Sequence, residues 1–281
     1  MLSIALALGS SACYGVSNFL GPQLARRYAL VSVLILSQLA ALAACALYLA
    51  VDRGHTLPST YVWVALLAGL GNAGGLIGFY KAAELGPLSV AAPIGAVGAV
   101  LPLTWGLASG DSLRPAQVVG LVLAMGGAAL AARRPAAGEE ALTLYPDPRA
   151  SAIWAAASAV AFGVFLTALP KAAAHGRPWA LFDARLAMVV LLALWAGPRL
   201  VSVRLERGSG VLAVPGLLLV TGTLMYTIAA NHGQLSLVSV LGSLFPVFTV
   251  GLGVTLLHER LSRSQAIGVA AALTGIMLIA L

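Results

Sequence analysis

The stretch RRPAAGEEALTLYPDPR, residues 133–149, decides how this chain is organised. It is the longest polar run in the sequence, and Pro135, Pro146 and Pro148 with Glu139, Glu140 and Asp147 give it the composition of a connecting segment. On either side the sequence is almost continuously apolar. Of 281 residues, 60% are hydrophobic and 9% charged, and the mean hydropathy is +0.97, more apolar surface than a water-soluble fold can cover. Lipid is therefore the solvent for most of the chain, and its function has to be carried out within the membrane.

Apolar runs bounded by charge, glycine or proline lie at 2–21, 30–51, 61–81, 88–109, 115–133, 151–170, 178–197, 211–231, 235–257 and 264–281. Each is close to the ~20 residues a helix needs to cross the hydrocarbon core. None alternates apolar and polar residues as a membrane β-strand would. The sequence thus predicts an all-α integral membrane protein of about ten transmembrane helices. A first unit, 1–133, is joined by a polar linker, 134–150, to a second unit, 151–281. The first run has no positive segment before it, so it reads as a span and not as a cleaved leader. Cys13 and Cys45 lie within apolar runs without metal-ligand spacing and read as small buried fillers.

Sliding the second unit over the first reveals a repeat. At offset 148, Ser10, Tyr14, Gly15, Val16 and Pro22 fall on Ser158, Phe162, Gly163, Val164 and Pro170. At offset 147, Leu39, Leu47, Phe79, Ala82, Gly86, Leu88 and Ser89 fall on Leu186, Leu194, Tyr226, Ala229, Gly233, Leu235 and Ser236. After a one-residue shift, Asp111, Leu113, Gln117, Gly120 and Gly127 meet Glu259, Leu261, Gln265, Gly268 and Gly275. Five spans per unit is an odd number, so the second unit enters the membrane from the opposite side. Two inverted five-helix repeats around a central cavity are a plan of secondary transporters, because related halves can open a midplane site to either side in turn.

The net charge of +7 comes from basic residues in loops between apolar runs, which argues against a nucleic-acid partner. Loops on the side of the termini carry four basic residues, Arg53, Arg114, Lys171 and Arg177. The opposite side carries eleven: Arg26, Arg27, Lys81, Arg133, Arg134, Arg149, Arg199, Arg204, Arg207, Arg260 and Arg263. That count puts both termini outside, and cytoplasmic labelling of a C-terminal reporter would overturn it. Arginine far outnumbers lysine and alanine and glycine abound, a composition typical of GC-rich bacterial genomes.

The residues resemble the EamA family of the drug/metabolite transporter superfamily, over essentially the whole chain. Phe245-Pro246-Val247-Phe248, then Leu257-His258-Glu259-Arg260-Leu261 with Gln265, Gly268 and Gly275, are similar to the family's repeat ending, and Tyr14-Gly15-Val16-Ser17-Asn18-Phe19 to its opening. Phe79-Tyr80-Lys81-Ala82 and Arg185 also resemble family positions. Asp111 stands where the repeat usually has Glu, Gln38 stands where its repeat-mate Arg185 leads one to expect Arg, and Lys81 replaces a neutral residue, so no subfamily follows. The resemblance implies ten helices, transport of metabolites or drugs, a bacterial plasma (inner) membrane and cytoplasmic termini, the last in opposition to the charge count.

Polar side chains in the hydrocarbon region are costly and are site candidates by default. Asp183 and Arg185 lie about one and two turns into the seventh run, on different faces. Arg185 reads either as the anchor of an anionic substrate group or as a residue snorkelling to a headgroup or bonding a neighbouring helix. Ser11, Tyr14 and Asn18 share a face of the first run at i, i+3 and i+7, and Asn72 and Phe79 share one on the third. An aromatic box of Tyr14, Phe79, Phe162 and Tyr226 with Asn18 and Asn72 would suit an amphipathic metabolite; packing and interfacial belts are the alternative. Pro93, Pro102 and Pro246 inside the fourth and ninth runs predict kinks that serve gating or shape alone. Gly71 with Gly75 and Gly74 with Gly78 predict close helix contact. Glu259 and Asp111, beside Arg260 and Arg114, read as interfacial charge pairs, and Asp183 and His232 as candidate proton carriers.

The first run carries no acid, which disfavours a cationic substrate. No paired catalytic motif, metal-ligand set or cofactor signature is present, which disfavours an intramembrane enzyme. The expectation is a carrier, exporter or exchanger, of a small amphipathic or zwitterionic metabolite such as an amino acid. Its partners are that small-molecule substrate and the bilayer, and it is read as a monomer, the oligomeric state being open. A structural or sensory subunit is the alternative, which a missing central cavity would favour and a large polar-lined pocket between the repeats would exclude.

Overall fold

The computed structural model describes residues 2–25, 27–52, 56–85, 97–132, 147–197, 200, 208–257 and 263–280, and among them every regular element is helical. In chain order these are α1 (Leu2–Ala25), α2 (Leu30–Val51), α3 (Ser59–Leu85), α4 (Val100–Ala108, entered by a 3₁₀ turn at Val97–Ala99) and α5 (Pro115–Ala132). Then follow α6 (Pro148–Ala196), α7 (Ala213–His232, entered by a 3₁₀ turn at Ser209–Leu212), α8 (Leu235–Gly242), α9 (Phe245–Leu257) and α10 (Arg263–Ala280).

The ten apolar runs do not map one to one onto these helices. α6 fuses the sixth and seventh runs, and the ninth run divides into α8 and α9. By length and apolarity six helical stretches among the described residues can cross a membrane, with Pro115–Leu130 and Ala266–Ile279 as shorter apolar helices. One of the six, Arg149–Ala196, has 48 residues. At 1.5 Å per residue it would measure roughly 72 Å, more than twice a ~30 Å hydrocarbon core. It is interrupted at Gly176, whose φ of 168° and ψ of 79° are not helical, giving limbs 148–175 and 177–196. Asp147 begins the first limb: its carboxylate accepts hydrogen bonds from the backbone N–H of Arg149 and Ala150, both at 3.0 Å, with Pro148 at the first helical position.

Pro102 is the third residue of α4, just after the 3₁₀ turn that enters it, and Pro246 is the second of α9, where the ninth run is interrupted between α8 and α9. Pro93 lies outside the described residues. Pro170 lies in the interior of the first limb of α6. It leaves the carbonyl of Leu166, four residues earlier, without its helical donor, and the Tyr226 hydroxyl donates to that carbonyl at 2.9 Å. The break between α8 and α9 is closed in the same way, since Ser11 Oγ donates to the Gly242 carbonyl at 3.2 Å.

Packing uses small residues. Alanine dominates the buried side chains, whereas Leu47, Trp63, Val122, Ile153, Leu194, Ile267 and Met277 are all more than 60% exposed, an apolar exterior suited to lipid. α3 lies along α6 through the predicted glycine face: a Cβ on Gly71 would meet the Ala161 carbonyl, one on Gly75 the Phe162 ring, and one on Gly78 Ser158.

These contacts recur in repeat-related pairs. A Cβ on Gly15 would strike Phe248 and the Phe245 carbonyl, and one on Gly163 would strike Leu101 and the Gly98 carbonyl. Each member of the second trio is the repeat-mate of a member of the first. Gly75 faces Phe162 as Gly222 faces Tyr14, Gly69 faces Ala184 as Gly216 faces Ser37, and α5 meets α10 through Gly120 on Gly275 and Gly127 on Gly268. The sequence repeat is thus also a two-fold relation between packing contacts.

Candidate functional site

The polar centre of the fold is built by two residues that occupy the same place in the two repeats. Arg185 lies on the second limb of α6 and Gln38 on α2, 147 positions apart. Each is the ninth residue of its helix or limb, roughly 12 Å along the axis and well inside a ~30 Å core. Gly69 lets α3 approach the backbone at Ala184, next to Arg185, and Gly216 lets α7 approach the backbone at Ser37, next to Gln38. The two glycines set how far inward the two polar side chains sit.

Arg185 is 5% exposed and Gln38 2% exposed. Arg185 Nη1 donates to Gln38 Oε1 at 2.6 Å and to the Met188 sulfur at 3.4 Å, and Cys45 lines the same cavity wall as Arg185. Among the described residues no carboxylate forms an ion pair with it. A cation held away from water without a counter-charge costs several kcal/mol, so this arrangement is paired chemically but not electrically.

Beside Arg185 lies a small cavity lined by Cys45 of α2, Asn72 of α3, Phe165 and Leu169 of the first limb of α6, Leu181 and Ala184 of the second, and Val220 and Thr223 of α7. Its volume is about 10 Å³, room for one water molecule. The large pocket expected from the sequence is thus replaced, among the described residues, by a closed cleft. Tyr14 borders it from α1, its hydroxyl sharing a 3.1 Å hydrogen bond with Thr223 Oγ1.

The structure gathers some of the sequence candidates and separates others. Arg185 and Asn72 line the cavity, and Tyr14 joins it through Thr223. Phe162 packs on Gly75, and Phe79 is half-buried on α3 away from the cavity lining. Tyr226 is fully buried in the packing of α7 against α8, with its hydroxyl committed to Leu166. Asn18 is exposed, because α1 meets α7 along the row from Tyr14 to Ser17, and Ser17 Oγ donates to the Pro215 carbonyl at 3.1 Å. Asp183 is half-buried on a face of α6 that does not line the cavity, and His232 is exposed at the end of α7. Of the other residues here, the sequence marks Gln38 only as the repeat-mate of Arg185 and Cys45 only as a buried filler, and it carries no signal for Thr223. Gln38 was discoverable, since the repeat offset that relates it to Arg185 also places the two across one pseudo-axis.

At the end of the fold that carries the α4–α5 and α7–α8 turns, the two repeats are tied together. Asp111 Oδ2 accepts from Ser236 N at 2.9 Å and Ser236 Oγ at 2.8 Å, and Gln234 Nε2 donates to the Ser112 carbonyl at 3.0 Å. Asp111 therefore serves the first turn of α8, where a carboxylate is favoured by the helix dipole. At the end of the first limb of α6, Lys171 Nζ sits 3.3 Å from the Trp105 ring centroid, and His175 stacks on Tyr61 at 3.6 Å.

Several membrane-length helices, an apolar exterior and a doubled packing plan define a multi-pass membrane protein. The model of the EamA-like transporter family matches residues 1–133 and again 149–281, so the chain belongs to this family, within the drug/metabolite transporter superfamily. Members of the family are transporters and not enzymes. A solved structure described only as "Crystal structure of protein" superposes with a TM-score of 0.76 at 19% identity, covering 98% of this chain and 95% of its own. At that identity the likeness is one of fold. No curated protein matches the chain.

Proposed function

We propose that the chain is a secondary transporter, an exporter or exchanger, of small amphipathic or zwitterionic metabolites that bear an anionic group, amino acids being the first class to try. Two inverted five-helix units, 1–133 and 151–281 joined by 134–150, alternate access to the centre of a bacterial plasma (inner) membrane. The observation that carries this reading is Arg185, a buried cation in the membrane interior whose oxygen partner is neutral. A fixed positive charge of that kind is complementary to a substrate carboxylate, which supplies the missing charge. Asn72, Thr223 and Tyr14 would meet the substrate's remaining polar groups, and Phe165 and Leu169 its apolar part. Asp183 is the acid within a span nearest in sequence to this centre and is the proposed coupling group should transport draw on protons.

The test is transport of a metabolite panel in proteoliposomes. Arg185→Ala should reduce transport by roughly 10²-fold, the worth of one or two charge-assisted hydrogen bonds. Arg185→Lys should recover part of it, while both variants remain monodisperse in detergent. Unchanged uptake by a well-folded Arg185→Ala would remove the reading.

A further inference from the structure

We propose that Gln38 is a built-in stand-in for the substrate's anionic group: its amide oxygen holds Arg185 in the closed arrangement, and a carboxylate enters by displacing it. The inference rests on the reading of Arg185 as substrate anchor. Both side chains are more than nine-tenths buried, and the 2.6 Å separation is at the short limit expected for a charge-assisted bond. An amide oxygen and a carboxylate oxygen offer the guanidinium the same planar acceptor. The carboxylate adds a negative charge and a second acceptor oxygen where the amide has an NH₂ donor, so exchanging one for the other neutralises Arg185, whereas a neutral amide would gain nothing over Gln38.

Position supports the same role. As repeat-mates, Gln38 and Arg185 face each other across the pseudo-axis that relates the halves, where a site must lie to be reached from both sides. The cavity beside them, which Arg185 lines, has room for one water and not for a metabolite, so a ligand can reach Arg185 only if the side chains around it part, the Gln38–Arg185 pair among them. Gln38 has three side-chain torsions and lies on α2, while Arg185 lies on α6, so the bond can part without breaking either helix. Gln38 then acts as a specificity filter: it holds the closed form by a bond that anions exchange and neutral molecules do not. It also lowers apparent affinity by the fraction of carriers in which the bond is closed.

The full-length protein in proteoliposomes would be assayed with a pool of radiolabelled amino acids and small hydroxy and keto acids, competed by the corresponding amides. Gln38→Glu, which gives Arg185 a permanent counter-charge, should lower transport at least ~50-fold while the protein stays folded. Gln38→Ala should lower KM roughly 3–10-fold, because the competing acceptor is gone. Amides should not compete. If Arg185→Ala is inactive but Gln38→Glu transports normally, or Gln38→Ala raises KM as Arg185→Ala does, the stand-in role is overturned and the anchor role survives. If Arg185→Ala is also unaffected, the anchor itself fails. Movement of the pool no faster than in protein-free vesicles, or equal competition by amides, overturns the carboxylate class. Should Gln38→Glu not fold, the direction of the KM change in Gln38→Ala decides.

Discussion

Gly216→Val is expected to yield little monodisperse protein and to lower the melting temperature in detergent by roughly 6–12 °C, corresponding to a loss of about 3 kcal/mol or more. A Cβ on Gly216 runs into the backbone carbonyl of Ser37, which cannot rotate away as a side-chain tip can. α7 and α2 would have to separate, and in a membrane their association depends on close van der Waals contact and not on escape from water. The displacement would fall next to Gln38, so residual folded protein should also lose transport. Gly69→Val should behave alike, since Gly69 meets the Ala184 carbonyl beside Arg185. Gly126→Val and Gly251→Val are the controls: both glycines are exposed, and an added Cβ meets nothing within 4 Å. Melting temperatures of all four variants by a thiol-reactive dye or size-exclusion assay decide the matter, and a Gly216→Val protein as stable as the controls would mean that the helices do not touch there.

The features legible in the sequence are those that composition and offset encode. Continuous apolarity announced helices in lipid, and the spacing of Gly71, Gly74, Gly75 and Gly78 announced a packing face, which lies on α6. The offset of 147 or 148 paired Gly15 with Gly163 before any contact was known, and the two glycines receive matching neighbours. Of the two backbone breaks one is legible: the gap between the runs 151–170 and 178–197 holds Gly176, whereas apolarity says nothing about φ and ψ at Gly242–Leu244 inside the ninth run. The site was half legible. Arg185 stood out as a charge in an apolar run, but its partner is neutral and 147 residues away. Asn18 was placed by a seven-residue step, whereas α1 meets α7 along an inclined three-residue row, which carries the contact from Tyr14 to Ser17. Tyr226 looked like a site aromatic because the carbonyl freed by Pro170 lies on a different helix, invisible to any local pattern.

Asp111→Ala should increase labelling of Cys45 by a membrane-impermeant maleimide added on the side of the termini, by roughly 10- to 10²-fold, in a Cys13→Ala background. Cys45 is 1% exposed, lines the cavity beside Arg185 and lies two turns from the end of α2 that reaches this side. At this end of the fold the two repeats are joined by contacts that include the two hydrogen bonds from Ser236 to the Asp111 carboxylate. Bonds of that kind contribute about 1.5–3 kcal/mol together with the dipole of α8. Alternating access places the closed and open forms in equilibrium, so weakening the closed one by that amount shifts the population by the same factor. Asp111→Asn keeps an acceptor but loses the charge, and should fall between wild type and alanine. Labelling from the opposite side should decline in parallel, because a carrier open at one end is closed at the other. A rise from both sides would indicate general loosening instead, and no rise from either would mean that the repeats do not part at this seam, leaving the alternation without its gate.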